Sequence, residues 1–131
     1  MWTLNSFALA FTAAAAGAAA TDTDPVVCRF TAFGFPDTAD FGGSLCHLIP
    51  VDRMSGGADY ATSVTTDNGR NIYIAGQAQF SAEDYDFMVM KVSPSSGELV
   101  NLFGNNGIGT YAFDVDSVHT GGDVDGATGQ G

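Results

Sequence analysis

Short runs of alternating apolar and polar residues begin at residue 58 and are separated by turn sequences. The first run, ADYATSVTT, is rich in β-branched residues and ends at the sequence DNG at 67–69, where Asn-Gly favours a tight hairpin turn with positive φ at both central positions. In the second run, NIYIAGQAQF, alternation places Ile72 and Ile74 on one face and Tyr73 on the other. The pattern therefore predicts a β-hairpin in this part of the chain.

A third run, YDFMVMKVS, contains four consecutive apolar residues at 87–90, which predicts a strand buried on both faces. The sequence PSSG then turns the chain, and ELVNLF is a candidate for a fourth strand. GNNGIG interrupts the pattern, and TYAFDV resumes the alternation. Short strands separated by regular turn signals favour an all-β unit built from consecutive antiparallel hairpins.

Two segments of the chain recur. SGGADYAT at 55–62 returns as TGGDVDGAT at 120–128, and FGFPDTADFGG at 33–43 is similar to FGNNGIGTYAFD at 103–114, so both offsets lie between 65 and 70 residues. A repeat of a small sheet with two buried faces is typical of β-propellers, whose four-stranded blades pack against neighbours on both sides. We therefore predict an all-β fold of antiparallel four-stranded blades in a β-propeller-like repeat, as an incomplete propeller.

These patterns divide the chain into four predicted segments. Residues 1–20 are a signal peptide, 21–54 an N-terminal segment with a candidate disulfide and a poor repeat match, 55–119 a β-propeller-like repeat unit, and 120–131 the truncated start of a further repeat. The first segment carries no charged side chain and ends in small residues that fit an A-x-A cleavage site, which predicts a mature chain beginning close to Thr21. An uncleaved membrane anchor is the alternative, because about 20 apolar residues can span a bilayer.

The formal net charge of −11, with only four Lys and Arg residues, limits the classes of partner. Such a chain has no basic surface for nucleic acid or anionic lipid. We expect no nucleic acid partner and no membrane contact beyond an uncleaved N-terminal anchor. The acidic composition, together with the predicted signal peptide, favours a secreted, extracellular or cell-surface location.

Cys28 and Cys46 are the two cysteines of the chain. In an oxidising compartment we expect them to pair, and the closed loop would contribute about 3 kcal/mol in the chain-entropy model. A Cys-His metal site at Cys46 and His47 is the alternative. It lacks support, because His119 is the other histidine and no third ligand has a suitable spacing.

An ordered set of motifs runs through residues 55–116. It comprises an Asp-x-Ala start, a hairpin similar to D-x-x-G-x-x-Y-x-x-G, a D-F-x-x-x-K/R strand, a turn ending in Gly, and F-G-x-x-G. The residues concerned are Asp59, Ala61, Asp67, Gly69, Tyr73, Gly76, Asp86, Phe87, Lys91, Gly97, Phe103, Gly104 and Gly107. This set resembles the delta-60 and SBBP-type β-propeller repeats, although residues 68–70 depart from the family's hairpin. The resemblance implies secreted or surface proteins with many blades, usually without a known catalytic role.

Side chains that could carry chemistry are few. The acidic tail DVDSVHTGGDVDG offers a candidate calcium site through Asp114, Asp116, Asp123 and Asp125, since carboxylate oxygens suit a hard cation; a solvated turn is the default interpretation. No EF-hand fits these spacings, and no other cofactor is expected. The chain contains no Gly-x-Ser-x-Gly elbow and no phosphate-binding loop that opens a helix, so we expect no catalytic residue in it.

Three hypotheses follow. The first is a secreted or cell-surface β-propeller-repeat protein, or a fragment of one, that serves as a structural or binding scaffold. Its partners would be further blades, other copies, or an unknown extracellular protein or glycan. The second is an extracellular, hydrolase-like enzyme whose catalytic residues lie in missing blades, and the third is a small self-contained, disulfide-closed β domain. We expect residues 28–51 to cover one apolar face of the repeat unit and the other face to drive self-association.

Overall fold

A computed structural model describes residues 6–14, 22–51 and 53–111, and every regular element in these ranges is a β-strand. The strands form a three-stranded antiparallel sheet in the order β1-β2-β3 and a four-stranded antiparallel sheet in the order β4-β5-β6-β7. The predicted all-β fold with a four-stranded antiparallel unit is confirmed. The strands are β1 (Ser6–Ala14), β2 (Thr23–Thr31), β3 (Cys46–Leu48), β4 (Tyr60–Thr66), β5 (Ile72–Ser81), β6 (Asp84–Val92) and β7 (Ile108–Tyr111).

The four-stranded sheet follows the alternation of its sequence. In β5, Ile72 and Ile74 are buried while Tyr73 is half-buried on the opposite face. In β6, Met88 and Met90 are fully buried on the same side as the two isoleucines. This side, the inner face, is therefore continuous across the central two strands.

The three-stranded sheet and its loops cover the inner face. Val27 of β2 joins Phe41, Ile49 and Val51 in one hydrophobic core with the inner-face side chains of the four-stranded sheet. Each large apolar side chain buried in this way contributes about 1.5–3 kcal/mol. Residues 28–51 thus cover one face of the repeat unit, as the sequence predicts.

A buried arginine fastens the two sheets together. Arg29 is 4% exposed, and its Nε lies 3.0 Å from a carboxylate oxygen of Asp37. Its Nη1 donates a hydrogen bond to the carbonyl oxygen of Asp40 at 2.9 Å and another to that of Pro94, in the turn after β6. One side chain therefore connects β2 and the loop after it to the four-stranded sheet.

Two expectations about the repeat unit are wrong. Phe87 and Val89 are only half-buried, because the three-stranded sheet covers the inner face alone. ELVNLF is not a strand: Leu99 forms an isolated bridge with Val92, and the last strand is β7, which begins at Ile108. The chain before β7 is curled by residues with positive φ at 104, 106 and 107, which prevents an extended conformation there.

Strand β1 lies within the segment predicted to be a signal peptide. It pairs with β2 along all nine of its residues. Its large side chains, Phe7, Leu9 and Phe11, are 41–50% exposed, whereas Ala8 and Ala10 pack against the core. β1 therefore contributes little side-chain volume to the core, and its large apolar side chains remain partly exposed to solvent.

Candidate interaction surface

The side of the four-stranded sheet that the core does not cover is the candidate site, and we call it the outer face. Cross-strand register groups its side chains into rows, with Tyr73 opposite Lys91, Ala75 opposite Val89, and Gln77 opposite Phe87. β7 extends the second and third rows with Gly109 and Tyr111. On the other side of β5, β4 adds Thr65, Ser63 and Tyr60 to the three rows. The outer face comprises Tyr60, Ser63, Thr65, Tyr73, Ala75, Gln77, Phe87, Val89, Lys91, Gly109 and Tyr111.

Aromatic rings stand at both ends of the outer face. At one end, the ring of Tyr73 contacts Phe103 edge-on at 6.0 Å, and the Nζ of Lys91 lies 5.5 Å from the centre of the Tyr73 ring. At the other end, the rings of Phe87 and Tyr111 are 6.4 Å apart, and Tyr111 is 59% exposed. These contacts hold the rings in place on the sheet surface.

The middle row of the outer face is made of small residues, Ser63, Ala75, Val89 and Gly109. The ring of Tyr111 covers Gly109, since its Cε2 would lie 3.1 Å from a Cβ there, whereas Ala75 and Val89 are partly exposed. Two stacked sheets lie about 10 Å apart, and their facing side chains interdigitate. The outer face is therefore suited to a second sheet that places larger side chains over the middle row.

Asp59, the first residue of the repeat motif, connects the chain before β4 to β5 and β2 through hydrogen bonds. It is 1% exposed, its Oδ1 accepts the N–H of Gln79 at 2.8 Å, and its own N–H donates to the carbonyl oxygen of Thr23 at 2.7 Å. The Oε1 of Gln79 in turn accepts the N–H of Ala58 at 2.6 Å. Sequence reasoning missed Gln79, because its burial depends on a register shift near the end of β5 that the alternation of the sequence does not show.

The turn between β4 and β5 differs from the predicted Asn-Gly hairpin. Positive φ occurs at Arg70 (66°) and not at the two residues before it. The carboxylate of Asp67 determines this geometry: it accepts the N–H of Asn71 at 3.0 Å and the hydroxyl of Tyr73 at 3.0 Å. Hydrogen bonds from the Asn71 side chain, above all, lower the pKa of Asp67 below its ordinary 3.8. Gly69 lies within this turn without positive φ.

Two motif glycines permit close approach of other residues. A Cβ on Gly76 would overlap the carbonyl oxygen of Tyr60 and lie 2.8 Å from its carbonyl carbon, because a register shift in β4 brings that carbonyl over β5. A Cβ on Gly97 would overlap the ring of His47. These glycines therefore allow β4 to approach β5 closely and allow β3 to pack against the turn after β6.

The other motif residues also have structural positions. Ala61 of β4 donates its N–H to the Oγ1 of Thr12 at 3.1 Å, which links β4 to β1. Asp86 lies opposite Ala78 in the β5–β6 ladder. Gly104 and Gly107 belong to the curled segment before β7. The structure therefore distributes the motif residues between turns, close approaches and the outer face, and does not gather them into one pocket.

The predicted disulfide is confirmed. Cys28 and Cys46 are bonded to each other and lie directly opposite in the β2–β3 ladder, 18 residues apart in sequence. The Nε2 of His47 lies 2.9 Å from the carbonyl oxygen of Phe41, and its ring packs edge-on against the Phe41 ring. Both sulfur atoms are therefore in the disulfide, and His47 has a structural contact of its own.

The candidate calcium ligands Asp114, Asp116, Asp123 and Asp125 lie outside the described residues. Within residues 6–14, 22–51 and 53–111, no three His, Cys, Asp or Glu side chains are grouped closely enough to hold a metal ion. In the same ranges no helix has the length and apolar character to cross a membrane.

No protein-family model, curated protein or solved structure matches this chain. The resemblance to the propeller repeats therefore depends on the motif residues alone, and any assignment of function begins from the outer face and its neighbouring surfaces.

Proposed function

We propose that this chain is a secreted or cell-surface β-propeller-repeat protein, or part of one, that acts as a structural or binding scaffold. The observation that carries the proposal is the outer face, a partly exposed surface of aromatic, aliphatic and polar side chains on a four-stranded antiparallel sheet whose other face is already covered. Propeller blades bury both faces against their neighbours. We assign one occupant to the outer face, a further four-stranded unit of the same kind.

The chain length after β7 supports this occupant. The repeat motif begins again at residue 120, so eight residues, 112–119, separate it from Tyr111. Eight residues can span up to about 28 Å, whereas stacked sheets lie only about 10 Å apart. A following unit can therefore reach the outer face without disturbing β7.

Cleavage of the predicted signal peptide would strengthen the association of this chain with other copies or units. Removal of residues 1–20 would take away β1 and leave the edge of β2 unpaired, and an unpaired edge is a template for pairing with another chain. The uncharged N-terminal segment and the disulfide between Cys28 and Cys46 both support passage through an oxidising, secretory compartment.

The small self-contained domain is the second candidate, and the shared core of the two sheets favours it. Val27 and Phe41 pack with Met88 and Met90 in one cluster, so the N-terminal segment and the repeat unit fold together. In this alternative the outer face stays open to solvent in a monomer. The hydrolase-like alternative has no supporting feature among the described residues.

Sedimentation equilibrium of a chain that begins at Thr21 distinguishes the two candidates. The scaffold proposal predicts self-association through the outer face, and Val89→Glu should weaken this association markedly because the middle row would then carry a charge. Leu102→Glu is the matched control, since Leu102 is 99% exposed in a turn. A monodisperse wild-type monomer with a cooperative thermal transition would contradict the scaffold proposal and favour the small domain.

A further inference from the structure

A cavity of about 260 Å³ opens beside β7, next to the curled segment that precedes it. Its walls include Arg53, Phe80, Asn105, Thr110 and Tyr111. All four residues of β7 line the cavity, and two of them, Gly109 and Tyr111, also belong to the outer face. Arg53, Phe80 and the curled segment lie outside the outer face, so the cavity borders the surface assigned to a further unit without coinciding with it.

Arg53 gives this cavity its chemical character. Its Nε is buried and has no hydrogen-bond partner among the described residues, in contrast to Arg29, whose Nε pairs with Asp37. Among the described residues that line the cavity there is no Asp or Glu. Arg53 lines the cavity, and a guanidinium group matches the two oxygens of a carboxylate. The wall around Arg53 is therefore suited to a ligand that carries a carboxylate.

The other walls indicate what accompanies the carboxylate. Phe80 and Tyr111 supply aromatic rings, against which the apolar face of a sugar ring can pack. Asn105 and Thr110 supply an amide and a hydroxyl, which can donate to and accept from ligand hydroxyl groups. The volume is smaller than the roughly 300–1,000 Å³ of pockets for drug-sized ligands, so it suits a single ring.

We propose that this cavity binds one uronic acid residue, a sugar ring with a carboxylate, at an end of a glycan. A ligand with a single negative charge is favoured over a polyanion, because the net charge of −11 repels each further negative charge. Arg53 would hold the carboxylate, the aromatic rings the sugar face, and Asn105 and Thr110 the hydroxyls. The site goes beyond the scaffold function and does not depend on it, because β7, Arg53 and the curled segment are present in a monomer.

The test is an NMR titration of the full chain with D-glucuronate, using D-glucose and acetate as comparison ligands. We expect glucuronate to shift the amide signals of Thr110 and Tyr111. Glucose and acetate should bind at least about tenfold more weakly, because glucose lacks the carboxylate and acetate lacks the sugar ring. Arg53→Gln should weaken glucuronate binding by about tenfold or more. Arg70→Gln removes the same charge from a distant turn and should leave the affinity unchanged.

Arg53→Lys tests whether the planar guanidinium group matters beyond its charge. Lysine keeps the positive charge but cannot donate two parallel hydrogen bonds to a carboxylate. A thermal melt of each variant checks that the fold is retained. We expect Arg53→Lys to bind glucuronate more tightly than Arg53→Gln and more weakly than the unmodified chain. Equal binding of glucose and glucuronate, or equal losses in Arg53→Gln and Arg70→Gln, would overturn the proposal. Acetate binding as tightly as glucuronate would overturn the sugar assignment. Each of these results leaves the self-association test of the outer face unaffected.

Discussion

Replacement of Gly76 by alanine tests how closely β4 approaches β5. The added Cβ would overlap the carbonyl oxygen of Tyr60 and lie 2.8 Å from its carbonyl carbon and 3.2 Å from the Cα of Ala61. All three neighbours are backbone atoms, and carbon atoms in contact normally stay about 3.5 Å or more apart. The substitution therefore requires β4 itself to move, since no side chain can rotate away.

The cost follows from that movement. Overpacking a fixed site costs about 1–3 kcal/mol and each hydrogen bond weakened about 1 kcal/mol, so we expect Gly76→Ala to lower the free energy of unfolding by about 3 kcal/mol. This is a large part of the roughly 5–15 kcal/mol that stabilises a typical domain. The melting temperature should fall by more than about 10 °C.

Urea denaturation of the full chain, followed by circular dichroism, measures this change. Gly69→Ala is the control: Gly69 has no positive φ, and the nearest atom to an added Cβ belongs to the movable side chain of Asn71, at 3.1 Å. We expect the control to change stability by less than about 1 kcal/mol. A loss of under 1 kcal/mol for Gly76→Ala as well would refute the close approach of β4 to β5.

Further predictions concern single contacts. Arg70→Gly should raise stability by up to about 1 kcal/mol, because Arg70 has a φ of 66° that glycine adopts without strain; an unchanged melting temperature would contradict this. Arg29→Met should lower the free energy of unfolding by about 3–5 kcal/mol, because Asp37 loses its ion pair with the guanidinium group. Arg29→Lys should lower it less, and urea denaturation measures both changes. On acidification, Asp67, whose pKa is lowered mainly by the Asn71 side chain, contributes stability that is present above its ordinary 3.8 and is lost as pH falls through the lowered pKa. In Asp67→Asn this part of the acid-induced loss should disappear from pH-dependent melts. Burial, and to a lesser degree the nearby Tyr60, raises the pKa of Tyr85 above its ordinary 10.0. The contribution of Tyr85 to the free energy of unfolding is therefore present below that pH and is lost as pH rises through the raised pKa. In Tyr85→Phe this loss of stability at high pH should disappear from pH-dependent melts.

Local sequence pattern predicted the strands of the repeat unit that depend on alternation. Ile72 and Ile74 point inward and Tyr73 outward because the side-chain period of a strand is two, whatever surrounds it. The disulfide followed from two cysteines in a chain with a predicted signal peptide, because thiols pair in an oxidising compartment. The half-burial of Phe87 and Val89 was not predictable in this way, because it depends on whether a second layer covers the outer face.

The turn between β4 and β5 and the buried polar groups were not predicted from the sequence. Asn-Gly favours positive φ, but the hydrogen bonds of Asp67 shift the positive φ to Arg70. In the motif D-x-x-G, the glycine stands at the position that Arg70 occupies here, so the pattern did contain this signal. The pairing of Arg29 and the cavity beside Arg53 arise from segments distant in sequence, and single-residue propensities carry no information about them.

Hydroxyl-radical footprinting of the chain that begins at Thr21, over a range of protein concentrations, tests most directly whether the outer face packs against another unit. Tyr111 is 59% exposed on the outer face, and Leu102, at 99% exposed in a turn, serves as the internal reference. We predict that oxidation of Tyr111 falls several-fold as the protein associates while oxidation of Leu102 stays constant. Association with no protection of Tyr111, or with equal protection of both residues, would contradict the assignment of the outer face.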